Sequence, residues 1–130
     1  MRHYLVDGSN VVRRGNYDPR FPEMEEVRTE DFLFRIDEMA SACSGEIRIE
    51  IFFDGPVRAH LPVDSPVHVR FPIDGYADDA IIGTARQLIN RGKGAVIVTG
   101  DGRLAKSLQA EGARIMSPSE FETRLREDRA

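Results

Sequence analysis

Acidic residues recur at places in this chain where a fold could gather them. His3-Tyr4-Leu5-Val6-Asp7-Gly8-Ser9-Asn10 and Ile51-Phe52-Phe53-Asp54-Gly55 are apolar runs that stop on an Asp-Gly pair, and Val98-Thr99-Gly100-Asp101-Gly102 ends a third run on an acid. Asp78-Asp79 opens a helical stretch. Taken singly, each is equally well an ordinary turn, a helix cap or a complement to a helix dipole. As a set they have a different meaning. Short β-branched and aromatic runs closed by turn signals read as buried strands, and in an open parallel sheet ligands bind outside the carboxyl ends of the strands. Carboxylates gathered on that edge repel one another by about 4 kcal/mol per pair at ~4 Å and an effective dielectric near 20, so a positive species is expected among them. Oxygen ligands without His or Cys suit Mg²⁺ or Mn²⁺ and disfavour structural zinc. Asp79 is the weakest member, because adjacent helical residues point in different directions.

The elements that must position these acids alternate. Strands are predicted at residues 3–7, 47–53, 67–71, 95–98 and 113–116. Helical stripes fall at Phe32, Leu33, Ile36, Met39, Ala40 and Cys43, with Thr29 as N-cap, and at Ile81, Ile82, Ala85, Leu88 and Ile89 before Gly92. A third helix is predicted over 103–110, and Ser117-Pro118-Ser119-Glu120 carries the capping-box pattern of a fourth. Residues 15–28 show no period and read as a functional loop, and 57–66 lack a helical period where a parallel crossover normally holds a helix. The alternation predicts an α/β three-layer sandwich around a central parallel sheet, one domain over 1–123 with a solvated, fraying tail at 124–130.

Composition narrows the function classes. With 130 residues, 41% of them hydrophobic, the chain has material for one core; its net charge of −4 argues against a broad basic surface but leaves room for a basic rim around an acidic pocket. Candidates for phosphate contacts on that rim are Arg13, Arg14, Arg58, Arg103 and Lys106, with Tyr76 placed to stack on an unpaired base. A single cysteine suits a reducing compartment, and no apolar run approaches the ~20 residues of a spanning helix, so the expectation is a soluble cytoplasmic protein without membrane contact. No glycine-rich phosphate loop of either standard spacing is present.

Four of these motifs, Tyr4-Leu5-Val6-Asp7-Gly8-Ser9-Asn10, Phe52-Phe53-Asp54-Gly55, Ala77-Asp78-Asp79 and Val98-Thr99-Gly100-Asp101, together resemble the NYN branch of the PIN-like ribonuclease superfamily, near its YacP-like members. The likeness runs from Tyr4 to about Phe121, with Ser9 where the family often has Tyr. It implies a PIN-like fold of sheet order 3-2-1-4-5 and metal-dependent cleavage of RNA; endonucleolytic action is the expectation, with exonucleolytic action left open. It also implies Asp7, Asp78 and Asp101 as principal acidic ligands of Mg²⁺ or Mn²⁺, with Asn10 and Asp54 in support. An RNA-processing partner, the ribosome or a second copy of the chain remain open as associates. The rival readings are a non-catalytic RNA-binding scaffold of the same fold and an acid-cluster phosphotransfer domain. A receiver-type domain wants an acid pair after the first strand and a Lys after the fifth, where Gly8 and Ser117 stand; a haloacid-dehalogenase-type phosphatase wants a second Asp where Ser9 stands.

Overall fold

The computed structural model describes residues 2–14, 18–72 and 75–129. Five parallel strands, β1 (Arg2–Asp7), β2 (Ile47–Phe52), β3 (Val67–Arg70), β4 (Val96–Val98) and β5 (Arg114–Met116), lie in the order β3-β2-β1-β4-β5. This is the predicted sheet, with ends shifted by a residue or so. In β1 the period-2 alternation splits the core. Tyr4 and Val6 join Ile49, Ile51, Phe32, Leu33, Ile36, Phe121 and Leu125 on one face, whereas Leu5 joins Phe52, Ile81, Ala85, Ile97, Leu104 and Leu108 on the other. Both faces are therefore covered, as the apolar runs require.

Among the described residues, five helices complete the layers: α1 (Gly8–Arg13), α2 (Pro22–Ser41), α3 (Ala77–Asn90), α4 (Gly102–Gln109) and α5 (Pro118–Glu127). Two expectations are corrected at the start of this series. The segment read as a loop holds the first two turns of α2, which opens with Pro22 in its first turn and Glu23 and Glu25 beside it, a helix start with proline and dipole-complementing acids. Thr29 is accordingly no N-cap but a buried residue inside the helix, 7% exposed. Residues 15–17 of that segment lie outside the described residues. The chain after Asp7 also turns directly into α1, so the Asp-Gly pair marks a helix start rather than a simple turn.

The crossover from β2 to β3 contains no helix. It covers the sheet by extended alternation instead: Val57, Ala59 and Leu61 pack on the α2-side core, and the Ser65 hydroxyl fastens the segment by donating to Asp37 of α2 at 2.5 Å and accepting from the Val67 N–H at 3.0 Å. The predicted fraying tail is likewise corrected, because α5 runs to Glu127 and Leu125 is fully buried. Ser117 caps it as expected, accepting from the Glu120 N–H at 3.1 Å. Arg2 at the start of β1 pairs with Asp128 just past α5, and the Ser44 N–H donates to the Asp128 carbonyl at 3.0 Å.

At Gly8, α1 lies tightly against the end of β2 and the residue that follows it. A Cβ there would stand 2.7 Å from Ile51 Cγ2 and from the Phe53 ring, both buried side chains. Gly8→Ala should lower stability by about 1–3 kcal/mol through overpacking, read as a lower denaturant midpoint with an unchanged m-value; an unchanged midpoint would mean that α1 can lift away freely.

Candidate active site at the carboxyl edge

Asp7 is the last residue of the central strand and is 3% exposed. Its carboxylate is held on both oxygens: Oδ2 accepts from the Thr99 hydroxyl at 3.1 Å, and Oδ1 accepts from the Asn10 N–H at 3.4 Å, capping α1. Burial pushes this carboxyl from 3.8 up to about 6, against the Thr99 and Asn10 hydrogen bonds and with a further push from the charges of Asp78 and Asp54.

Thr99 carries the link to the next acid. While donating to Asp7 its oxygen accepts from the Asp101 N–H at 3.0 Å, and Asp101 caps α4 through Oδ1, which accepts from the Arg103 N–H at 2.9 Å and the Leu104 N–H at 3.4 Å. Asn10 ties α1 to the same turn, its Oδ1 accepting from the Gly100 N–H at 2.9 Å. A Cβ on residue 100 would come within 3.1 Å of that oxygen, so the approach suits glycine.

Asp54 braces three elements. Its Oδ1 accepts from the Ala77 N–H at 2.9 Å at the start of α3, its Oδ2 pairs with Arg13 at 2.9 Å, and its own N–H donates to the Ser9 hydroxyl at 2.9 Å. Arg13 reaches Glu25 of α2 at 2.8 Å with its Nε. The α3 start thus fixed presents Asp78, whose carboxyl is raised by burial and then by the charges of Asp101, Asp54 and Asp79.

Asp7, Asn10, Asp54, Asp78 and Asp101 line one cleft of about 290 Å³ together with Ser9, Arg13 and Arg14. Of the other predicted site residues, Asp79 is exposed and lies outside the cleft lining. Arg58 lines a neighbouring cavity, and Arg103, Lys106 and Tyr76 are exposed without lining the cleft, Tyr76 to 70%. Arg13 is an ion-paired brace as well as a cleft residue, which its place in the sequence did not disclose. Ser9 and Thr99 were missed as site residues. Their only sequence signal is a hydroxyl beside each strand-end acid.

The donor set is all oxygen, which fits a hard divalent cation. Among the described residues no three His, Cys, Asp or Glu side chains stand together as a metal-holding group. Mg²⁺ does not require one, since it usually keeps several waters and takes only one or two carboxylates. Asp101 keeps its Oδ2 outside the helix cap, and Asp78 makes no hydrogen bond to a described residue.

A sheet of this order, with acids from four segments at its carboxyl edge, defines a PIN-like nuclease fold. The chain belongs to the YacP-like NYN domain family, whose model matches residues 4–130. In fold it is similar to Rae1 (YacP) from Bacillus subtilis, at 21% identity and a TM-score of 0.72 over 98% of this chain and 75% of that one. The W164L mutant of Rae1 matches at 20% identity and a TM-score of 0.67, over 98% of this chain and 76% of the other. No curated protein matches the chain. Among the described residues, no helix is long and apolar enough to cross a membrane.

Asp7→Asn should separate charge from shape at the centre of this site. The folded-state carboxyl titrates near 6 and the unfolded one near 3.8, so the parent is most stable, as far as this group is concerned, below pH ~4 and loses that contribution as pH rises through 6. The full effect is at most about 3 kcal/mol. The amide keeps an acceptor for Thr99 but turns an N–H₂ toward the Asn10 N–H, which offsets part of the gain. Metal-free Asp7→Asn should therefore be about 1 kcal/mol more stable than the parent at pH 7 and lack the parent's decline between pH 4 and 6. Melting curves across that range check it, and a mutant destabilised at pH 7 would show that hydrogen bonding outweighs burial of the charge.

Proposed function

We propose that the protein is a ribonuclease dependent on Mg²⁺ or Mn²⁺ that cuts RNA phosphodiester bonds endonucleolytically in cytoplasmic RNA processing or decay. The observation that carries this reading is the single cleft onto which four separate chain segments bring Asp7, Asp54, Asp78 and Asp101. Family membership supports a nuclease with RNA as its substrate.

Of Asp7, Asp78 and Asp101, one or two would bind the cation directly and the rest through its waters, with exposed Asp79 as an outlying carboxylate. When bound, such an ion lowers the pKa of its water and neutralises charge on the phosphate. The chain's own groups do the rest. Asn10 has its Oδ1 committed to Gly100, so its amide N–H₂ is the part that can donate to a phosphate oxygen. Arg14, exposed at the cleft, supplies positive charge for the backbone, and Arg13 does so from a position fixed by Asp54 and Glu25. Asp54 acts through others: by holding the Ala77 N–H and Arg13 it sets where Asp78 and the guanidinium point. Arg58, Arg103, Lys106 and Tyr76 are left for more distant parts of the RNA.

A second reading, an RNA-binding module without turnover, is favoured by one observation, the lack of a three-carboxylate grouping among the described residues. Incubation with mixed single-stranded and structured RNAs, analysed by product length, distinguishes the two. Internal cuts are expected with Mg²⁺ or Mn²⁺ and none with chelator. Undiminished cutting in chelator refutes the metal requirement, and RNA binding without cutting in either metal selects the module.

The adjacent acids provide a sharper check. Asp78 lines the cleft and Asp79 does not, so Asp78→Asn should cost about a hundredfold in cleavage rate and Asp79→Asn only a few-fold. Equal losses, measured on proteins with matched melting temperatures, would mean that α3 is rotated in the working enzyme.

A further inference from the structure

Beside the acid cleft and sharing Ser9 and Arg13 with it lies a second cavity of about 350 Å³, between α2 and the helix-free crossover. Its size is within the usual range for a small-molecule site, roughly 300–1,000 Å³. One wall is apolar, formed by the buried Phe53 with Pro56 and Val57. The opposite wall is the face of α2 that repeats at helical spacing, Pro22, Glu25, Glu26, Thr29 and Glu30. Glu25 is committed to Arg13, whereas Glu26 and Glu30 pair with no described residue.

Thr29 is the informative member. It is 7% exposed, lines this cavity, and its hydroxyl makes no hydrogen bond to any described residue. The residue is buried as a whole, but no side-chain oxygen among the described residues is both buried and unpartnered, so this hydroxyl keeps its oxygen open to solvent. Here the space in front of it is the cavity. Arg13 and Arg58 line the cavity as well, and Arg13 and Arg14 line the cleft, so the backbone of a strand lying in the acid cleft is directed to these guanidinium groups, while the carboxylates beside Thr29 repel a phosphate and leave the space in front of it for an uncharged planar group.

We infer that this cavity receives an RNA base next to the cleaved linkage and selects one that carries an amino group, an inference that rests on the ribonuclease reading. Ionised carboxylates only accept hydrogen bonds. The amino groups of cytosine, adenine and guanine can donate to Glu26 and Glu30, with Thr29 free to donate to or accept from the same edge. Uracil presents two carbonyl oxygens to the same carboxylates and has a single imino N–H to offer, so it is disfavoured.

Titration of the metal-free protein with CMP, AMP, GMP and UMP, followed by NMR at Thr29, Val57 and Ala59, reads the pocket without any turnover. The amino-bearing nucleotides should shift these signals and bind at least tenfold more tightly than UMP. Thr29→Val should weaken that binding about fivefold while Thr29→Ser keeps it, and Glu26→Gln with Glu30→Gln should narrow the preference, since amides can donate to uracil. In the cleavage assay, sequenced fragment ends should be depleted of U at one fixed position beside the cut. Equal binding of UMP, shifts confined to Asp78 and Asp101, or no shift at Thr29 overturns the inference. Cleavage with no base bias at any flanking position also overturns it and leaves the ribonuclease reading standing. Base-selective shifts at Thr29 in a protein that cuts no RNA would support the pocket and refute the ribonuclease reading.

Discussion

A carboxylate buried at the end of the central strand constrains everything around it. Asp7 has almost no contact with water, so its two oxygens must be satisfied by the protein, and the partners it uses are on other elements. Thr99 is at the end of β4 and Asn10 on α1; each then holds the β4–α4 turn through a second hydrogen bond. The partners of one desolvated group thereby register two strands and two helix starts. The same burial leaves the carboxyl poised, because two neighbour charges and a dry setting oppose its ionisation while two donors favour it. A cation delivered to the cleft would relieve that opposition.

Asp54 looks equivalent to Asp7 in the sequence, and the structure gives it a different job. Both follow an apolar strand and precede glycine. Asp54, however, lies beyond the last residue of β2 and is half-buried, with a guanidinium and an N–H for partners. Its charge is already answered by Arg13. It belongs to the scaffold of the cleft, fixing the start of α3, more than to the group of carboxylates that lack a counter-charge.

What the sequence made legible was periodic or punctuated. Alternation in β1 and β2, the stripe of Ile81, Ala85 and Leu88, and the Ser117-Pro118 start of α5 each report a local rule that tertiary context left intact. The convergence of acids followed from sheet geometry once the strands were assigned. What stayed hidden was non-periodic. The first two turns of α2 present Glu23, Glu25 and Glu26 amid exposed Met24 and Val27, without the apolar stripe that marks the later turns, and only Pro22 announced them. Leu125 is a lone apolar residue among charges, so its full burial against the α2-side core could not be read from a tail of Arg and Glu. Thr99 and Ser9 were invisible for another reason: a hydroxyl's partner is chosen by the fold, not by its neighbours in the chain.

The ion pair between Arg2 and Asp128 has a consequence for architecture on a larger scale. It brings the beginning of the central strand and the end of the last helix together, at the pole of the sheet opposite the one where the strands deliver their acids. Anything joined to either end of this domain leaves from the back of the molecule. A tether, a tag or a neighbouring module can thus be carried there without lying across the cleft at the opposite edge. A short bridge between the two ends would also close the backbone into a ring with the acid-bearing edge untouched.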